Sequence, residues 1–451
     1  MRDPLLAGIR VLDMTQIRAG PKGSRWLADA GAEVIKLEAR GRSDSRGFGR
    51  RGSGNTAGPM ESVSVEAQRE GNRVAFEQLN RNKLGLSIDL SFPDGKELFK
   101  QMVGICDVVM ENFSYGVMDR LGLGYDVLRR YRPDLVMMSM PAYGSSGPYR
   151  DYVSFGWAQE HMGGITSRTG YQGGPPLKTG SIVADPVNGV HGAIAVMTAL
   201  VGRAKTGTGR FIDFSQLESM ILLSGEAILD YSVNGRSPQR NGNRDPFLAP
   251  QGVYQCAGDD NWVSISVTND AEWVALCEVI QSSELANEPR FASSELRVNY
   301  HDAIDDLINE WTSKRDKIRV MIELQNAGVP AGAVLDQAEA YQSPQAVSRD
   351  FLVELVHPDG ILFPYSRTPS KFSKTPAEVR TPGPLLVEHN EYLLGTLLGI
   401  PETEQQRLES SGVTAGVLYT SDAADEGFGV DVGGRRLIKK KRGGGGGGGG
   451  G

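Results

Sequence analysis

One aspartate stands out for the chemistry its setting would allow. Asp185 opens the run DPVNGVHGAIAVMTAL, and no Asp, Glu, Lys or Arg follows it before Arg203. Small and apolar residues throughout predict a buried helix over residues 185–200, with Pro186 in the first turn, where its missing N–H costs nothing. An aspartate at that place can cap the helix with its side-chain oxygen. The positive end of the same helix would also keep the carboxylate ionised and nucleophilic at neutral pH. Capping and covalent catalysis are compatible, and both stay open for this residue.

Other polar groups gather in loops that follow apolar runs: residues 16–21 (QIRAGP), 80–83 (NRNK), 111–113 (ENF), 143–148 (YGSSGP) and 180–185 (GSIVAD). Their cationic side chains could pair with phosphates, while Asn112 offers a directional amide and Phe113 a stacking face. Each motif taken singly is more often a turn than a site. Metal chemistry finds no support. His161, His191, His301, His357 and His389 are far apart, and Cys106, Cys256 and Cys277 fall in no CxxC pair. Also absent are a GxGxxG after the first strand, a GxxxxGK[ST] and a GxSxG, which removes the dinucleotide, P-loop and α/β-hydrolase readings.

The elements that must hold these loops follow a strand, helix, strand grammar. A strand over residues 9–14 leads through the 16–21 turn to a helix from about 23, then to a strand over 33–38. Strands at 86–90, 107–112 and 135–140 alternate with helices at 95–104 and 125–131, which predicts an open parallel α/β sheet that collects ligands at its strand ends. Residues 42–74, rich in Arg, Gly and Ser, read as a surface loop. A second long helix is expected over 215–231, a hairpin over 252–267, and helices over 270–281 and 301–327. The resulting plan is a large α/β domain from residues 1–215, a linker at 216–241, a small α+β domain at 242–332, and a linker with return to the large domain over 333–411.

The chain has 451 residues with a formal net charge of −7, 23% charged and 39% hydrophobic residues. That is an ordinary soluble composition, and its negative balance argues against nucleic acid as a partner. No signal peptide and no long apolar run is evident, so a reducing, cytoplasmic setting away from membranes is expected. Glycine is in excess at 57 residues, 14 of them within 413–451, where four basic residues precede nine consecutive glycines. A poly-A tract passing into poly-G would encode that ending. Residues 412–451 therefore read as a non-native or disordered tail.

Taken in order, GIRVLDMTQIRAGP, LADAGAEVIKLE, LNRNKLGLSIDL, VVMENFSYGVMDRLG, AYGSSGP, PPLKTGSIVADPVNG and GTGRFIDFS resemble the family III CoA-transferases of the CaiB/BaiF superfamily over residues 5–400. The resemblance implies a Rossmann-like large domain built from both chain ends, a smaller domain, and two identical subunits interlocked like chain links. It implies an acyl-CoA:carboxylate CoA-transferase with Asp185 as nucleophile, coenzyme A esters as substrates and no permanently bound cofactor. It carries CoA contacts onto Gln16, Arg18 and Ala19 near the thioester, and onto Lys83, Asn112, Phe113 and Arg120 around the nucleotide and pantetheine. Another basic contact falls on Ala39, with Arg40 beside it. Formyl-CoA members have Gln where Arg18 stands and His where Gln16 stands, which argues against formyl-CoA or oxalyl-CoA here. Arg18 suits a dicarboxylate donor such as succinyl-CoA. Two alternatives stay open, a 2-methylacyl-CoA racemase and a non-catalytic CoA-binding subunit. The racemase histidine falls on Phe155, which cannot act as a base, although His161 lies six residues on.

Overall fold

Strands buried on both faces read as near-continuous apolar runs, and VVME at 108–111 and VMMS at 136–139 fit that apart from their last residues, Glu111 and Ser139. In the computed structural model, which describes residues 3–39 and 65–416, they lie in a six-stranded sheet. Its strands are β1 (Arg10–Asp13), β2 (Glu33–Glu38), β3 (Lys83–Ser87), β4 (Val108–Glu111), β5 (Val136–Ser139) and β6 (Arg210–Asp213). The order is β3-β2-β1-β4-β5-β6 and every pairing is parallel. The helices along this stretch are α1 (Ala19–Asp29), α2 (Val65–Asn80), α3 (Pro93–Gly104), α4 (Val117–Leu121), α5 (Tyr125–Leu128), α6 (Gly156–Met162) and α7 (Ala184–Thr206).

The two-residue period of a strand sorts neighbouring side chains into two layers. Leu12, Ile35, Val109 and Met137 pack with Phe99 and Met102 of α3. Val11, Val34, Val108 and Val136 pack with Leu27 of α1 and with Ala193, Val196 and Leu200 of α7. The far end of the chain closes the first layer with Leu393, Leu394, Leu408 and Val413. One compact unit is thus assembled from the described residues within 1–153, 185–215 and 351–416. Val413 also accepts the Asp89 N–H at 2.8 Å, so residues 412–416 belong to the folded body rather than to a tail. The remaining tail residues, 417–451, lie outside the described residues.

The second unit comprises residues 154–184 and 216–350. Strands β7 (Gln251–Gln255), β8 (Trp262–Ser266) and β9 (Ala331–Ala333) form an antiparallel sheet. Its core joins Tyr254, Val263 and Ile265 to Trp273, Ile308 and Leu324 of three helices. The boundaries differ from the sequence expectation in several places. Residues 154–184 fall in this unit rather than the large domain, as do 333–350. The long helix expected over 215–231 is divided into Gln216–Leu222 and Gly225–Asn234, and both belong to this unit rather than to a linker. The expected helix over 301–327 divides at Asp316, whose carboxylate accepts the N–H groups of Ile318 and Arg319 and starts a new helix. In the first unit, residues 65–74 are helical within α2 rather than loop, and residues 352–366 form a hairpin of β10 (Leu352–Val356) and β11 (Leu362–Ser366).

A buried polar cluster fixes the start of α1 against the sheet. The Lys83 Nζ, at the first residue of β3, lies 2.9 Å from Asp13 Oδ2, 2.8 Å from Ser24 Oγ, 2.9 Å from Asn80 Oδ1 and 3.1 Å from the Pro21 carbonyl. Ser24 donates to Asp13 at 2.7 Å, and the Lys36 ammonium donates to the Thr15 carbonyl. Burial alone would raise the Asp13 carboxyl, but Lys83 and Lys36 outweigh it and hold it well below the usual range. Burial lowers the Lys83 ammonium to about 8, opposed by Asp13. An ammonium has three protons, and internal acceptors use them all here. This corrects the expectation that Lys83 meets a CoA phosphate: its charge is spent inside the fold. Removing one partner of a buried pair strands the other, at a cost of about 3–5 kcal/mol. Lys83→Met should therefore lower the urea midpoint by that equivalent, and Asp13→Asn in the same chain should recover part of the loss.

Candidate active site

The strand order places β1 where the sheet changes direction: the chain runs outward through β2 and β3, then returns to the other side of β1 as β4. In open α/β sheets such a switch point, beyond the carboxyl ends of the strands, is where ligands bind. The loops leaving β1 and β4 are joined across it. Met14 N–H donates to the Met110 carbonyl at 2.9 Å. Asn112 then imitates a strand neighbour, accepting the Gln16 N–H at 2.7 Å and donating to the Gln16 carbonyl at 2.9 Å. The Asn112 amide is therefore committed to the loop, where the sequence suggested a ligand contact.

The residue that follows this clamp is held in an unfavourable conformation. Ile17 has φ +66° and a 42% exposed side chain. A β-branched residue rarely enters the left-handed region, which costs on the order of 1–2 kcal/mol. Such strain persists only where surrounding bonds over-determine it, and it collects at functional sites. The turn delivers Arg18, exposed at the N-cap position of α1, and Ala19, buried at its first residue. Phe113 packs half-buried against the first core layer. Arg120, exposed on α4, donates to the Tyr115 carbonyl at 3.3 Å. Arg40 lies outside the described residues.

Asp185 is brought to the same loop by backbone contact between α1 and α7. A Cβ placed on Gly189 would stand 2.7 Å from the Ala19 carbonyl oxygen and 2.8 Å from Lys22 Cβ, and one on Gly23 would stand 2.8 Å from the Gly189 oxygen. Only hydrogen at these two positions allows the helices so close. Asp185 sits one turn before Gly189, roughly 6 Å along the axis. It is the second residue of α7 and 8% exposed. The structure thus assembles Gln16, Arg18, Ala19, Asn112, Phe113 and Asp185 around one end of the sheet, with Arg120 on the helix that follows. For the racemase alternative, Phe155 is exposed and offers no base, and the His161 Nδ1 lies 2.7 Å from Thr166 Oγ1. Among the described residues, no group of three or more His, Cys, Asp or Glu could hold a metal ion. No helix among them is long and apolar enough to cross a membrane.

Glu111, at the last position of β4, was not singled out by its sequence. It is buried and accepts the Phe113 N–H at 2.6 Å. Burial pushes its carboxyl up to about 7, against the lowering effect of hydrogen bonds from Ser139 and Phe113. A folded value above the ordinary 4.5 means that the folded protein holds this proton more tightly, so its contribution to stability is full below pH 4.5 and is lost as pH rises towards 7. Glu111→Gln should remove that slope. Relative to wild type, the variant should gain about 2–3 kcal/mol between pH 5 and pH 8 in urea titrations.

Residues 6–390 match CoA-transferase family III. The chain is 32% identical to the succinyl-CoA–D-citramalate CoA-transferase of Chloroflexus aurantiacus, covering 90% of this chain and 98% of that one. It is also 32% identical to the succinate–glutarate CoA-transferase of Agrobacterium fabrum, over 89% and 98%. Among solved structures, a CaiB/BaiF family protein from Brucella suis superposes with a TM-score of 0.76 at 32% identity, covering 88% of this chain and all of that one. A Rossmann-order sheet with its loops joined at the switch point and this match over most of the chain lead to one conclusion: the protein is a CoA-transferase and belongs to CoA-transferase family III.

Proposed function

We propose that the enzyme moves CoA between carboxylic acids through a thioester on Asp185, with a dicarboxylic acyl-CoA such as succinyl-CoA as donor. The observation that carries this reading is the Gly23–Gly189 contact, which sets Asp185 beside the strained loop that presents Arg18. The Asp185 carboxylate attacks the donor thioester, forming a mixed anhydride and expelling CoA thiolate. The thiolate attacks the aspartyl carbonyl, releasing the donor acid and leaving aspartyl-CoA. The acceptor carboxylate attacks that thioester to give a second anhydride and free thiolate, which then takes the acceptor acyl group and restores Asp185. Overall one thioester is exchanged for another, so no outside energy source enters the balance.

Arg18 would pair with the distal carboxylate of the donor through a charge-assisted contact. Two of the relatives carry succinyl-CoA or succinate in their names, which favours that donor. Phe113 and Arg120 remain suited to the pantetheine and nucleotide of CoA, with Gln16 and Ala19 lining the thioester end. A homodimer is supported by Val190, Ile194, Met197 and Val201 on α7, an exposed apolar row at helical spacing that a second subunit would cover.

Incubation with succinyl-CoA followed by borohydride or hydroxylamine, and peptide mapping by mass spectrometry, tests the nucleophile. Modification should fall on Asp185 and vanish in Asp185→Ala. Deuterium entering Cα of the acyl group without CoA exchange would instead favour the racemase. For the donor, Arg18→Gln should raise KM for succinyl-CoA by roughly 10-fold or more, the equivalent of one charged hydrogen bond, while a monocarboxylic donor changes little. An unchanged preference between the two donors would remove Arg18 from donor selection.

A further inference from the structure

The segment that leads into Asp185 converges on a single buried side chain. Glu160, on α6, is fully buried. Its Oε1 accepts the Val183 N–H at 2.7 Å and the Ala184 N–H at 3.3 Å. Its Oε2 accepts the Thr179 hydroxyl at 2.7 Å, and that hydroxyl also lies 2.7 Å from the Ser181 carbonyl. Glu160 forms no ion pair among the described residues, so these donors are what offset its burial.

The first N–H groups of a helix have no partner within the helix. At α7, two backbone N–H groups at the entry are satisfied by a carboxylate from a distant part of the chain, and Asp185 is the next residue after them. We infer that Glu160 is a positioning residue for Asp185: it fixes the backbone entering α7, so that the nucleophile is carried on a peptide whose position is set before substrate arrives. The inference rests on Asp185 being the nucleophile. Glu160 acts through the Val183-Ala184-Asp185 backbone and not by touching substrate. Displacing a reacting group by about 1 Å can cost up to about 100-fold in rate, and the loss should appear in kcat rather than in the binding of acyl-CoA.

Two substitutions separate reach from charge. In Glu160→Gln the amide oxygen still accepts both N–H groups, and Thr179 can turn its proton to Ser181 and accept from the new amide. In Glu160→Asp the charge is kept, but the shorter stem withdraws the oxygen from the helix entry. The expected result is kcat within about 3-fold of wild type for E160Q. For E160D, kcat measured below its melting temperature should fall on the order of 10–100-fold, with KM for succinyl-CoA little changed, a lower melting temperature because the buried carboxylate loses donors, and a matching loss in the single-turnover rate of aspartyl-CoA formation. Wild-type kcat in a folded E160D, or equal losses in E160Q and E160D, would overturn the inference. Should E160D not fold, Thr179→Val, which removes the Oε2 anchor, decides: a several-fold fall in kcat at constant KM supports positioning, and an unchanged kcat overturns it. Asp185→Asn, measured alongside, keeps the two readings apart. If it still exchanges CoA, the nucleophile assignment fails; if it is inactive while E160D matches wild type, only the role of Glu160 fails.

Discussion

The site depends on two helices meeting without side chains between them. Gly23 on α1 and Gly189 on α7 bring backbone against backbone, and a methyl group at either would stand under 3 Å from a carbonyl oxygen. Interiors are close-packed and deform little, so such a contact sets register as well as distance. Because Asp185 precedes Gly189 by one turn and Arg18 precedes Gly23 by little more, the contact fixes the start of α7 against the start of α1. Neither residue needs a direct bond to the other for that relation to hold.

The contact would achieve little if α1 could shift on the sheet. The buried Asp13, Ser24 and Lys83 cluster prevents this by tying the end of β1, the second turn of α1 and the start of β3 to one another. Buried ionic groups are costly in stability and are better understood as devices that select one arrangement. Every polar atom named here has a partner, and a slip of α1 by one residue would leave several without one. The strained Ile17 belongs to the same frame: the Asn112 clamp closes one side of the loop and the anchored helix closes the other, so the cost of its conformation is met by bonds at both ends.

Local pattern was enough to find most of the sheet and to pick out Asp185, since parallel strands are apolar runs and a long uncharged helix with one acid at its start is conspicuous. Partition of roles among the polar residues was not legible. Lys83 and Asn112 carry donors suited to a phosphate or an amide ligand, and nothing in their own sequence tells whether those donors face a crevice or the interior. That is decided by Asp13, Asn80 and Gln16, which the fold brings from elsewhere. The same holds for Glu111 and Glu160, each an unremarkable glutamate until its surroundings are known. The position of Val413 was missed for a different reason: the compositional change after it is abrupt, yet the last core side chain lies on the near side of the change. The unit boundaries were missed because residues 154–184 are assigned by contacts distant in sequence.

A common design runs through the elements around the candidate reaction centre. Asn112 holds Gln16 by imitating a strand, and Glu160 holds Val183 and Ala184 by imitating the acceptor a helix entry lacks. Both supply side-chain atoms where regular structure would have supplied backbone ones, at the two places where the chain leaves regular structure beside the candidate reacting groups. Binding that is equally strong for substrate and transition state does not raise kcat, whereas interactions that favour the transition state do. Fixing the backbone in advance would serve that end, because the entropy of ordering the proposed nucleophile would then be spent during folding and not during each turnover. The side chains that hold the scaffold here, Asn112 and Glu160, are accordingly distinct from the side chains proposed for the chemistry, Asp185 and Arg18. That separation would let relatives vary their acids, by changing a residue such as Arg18, on an unchanged frame.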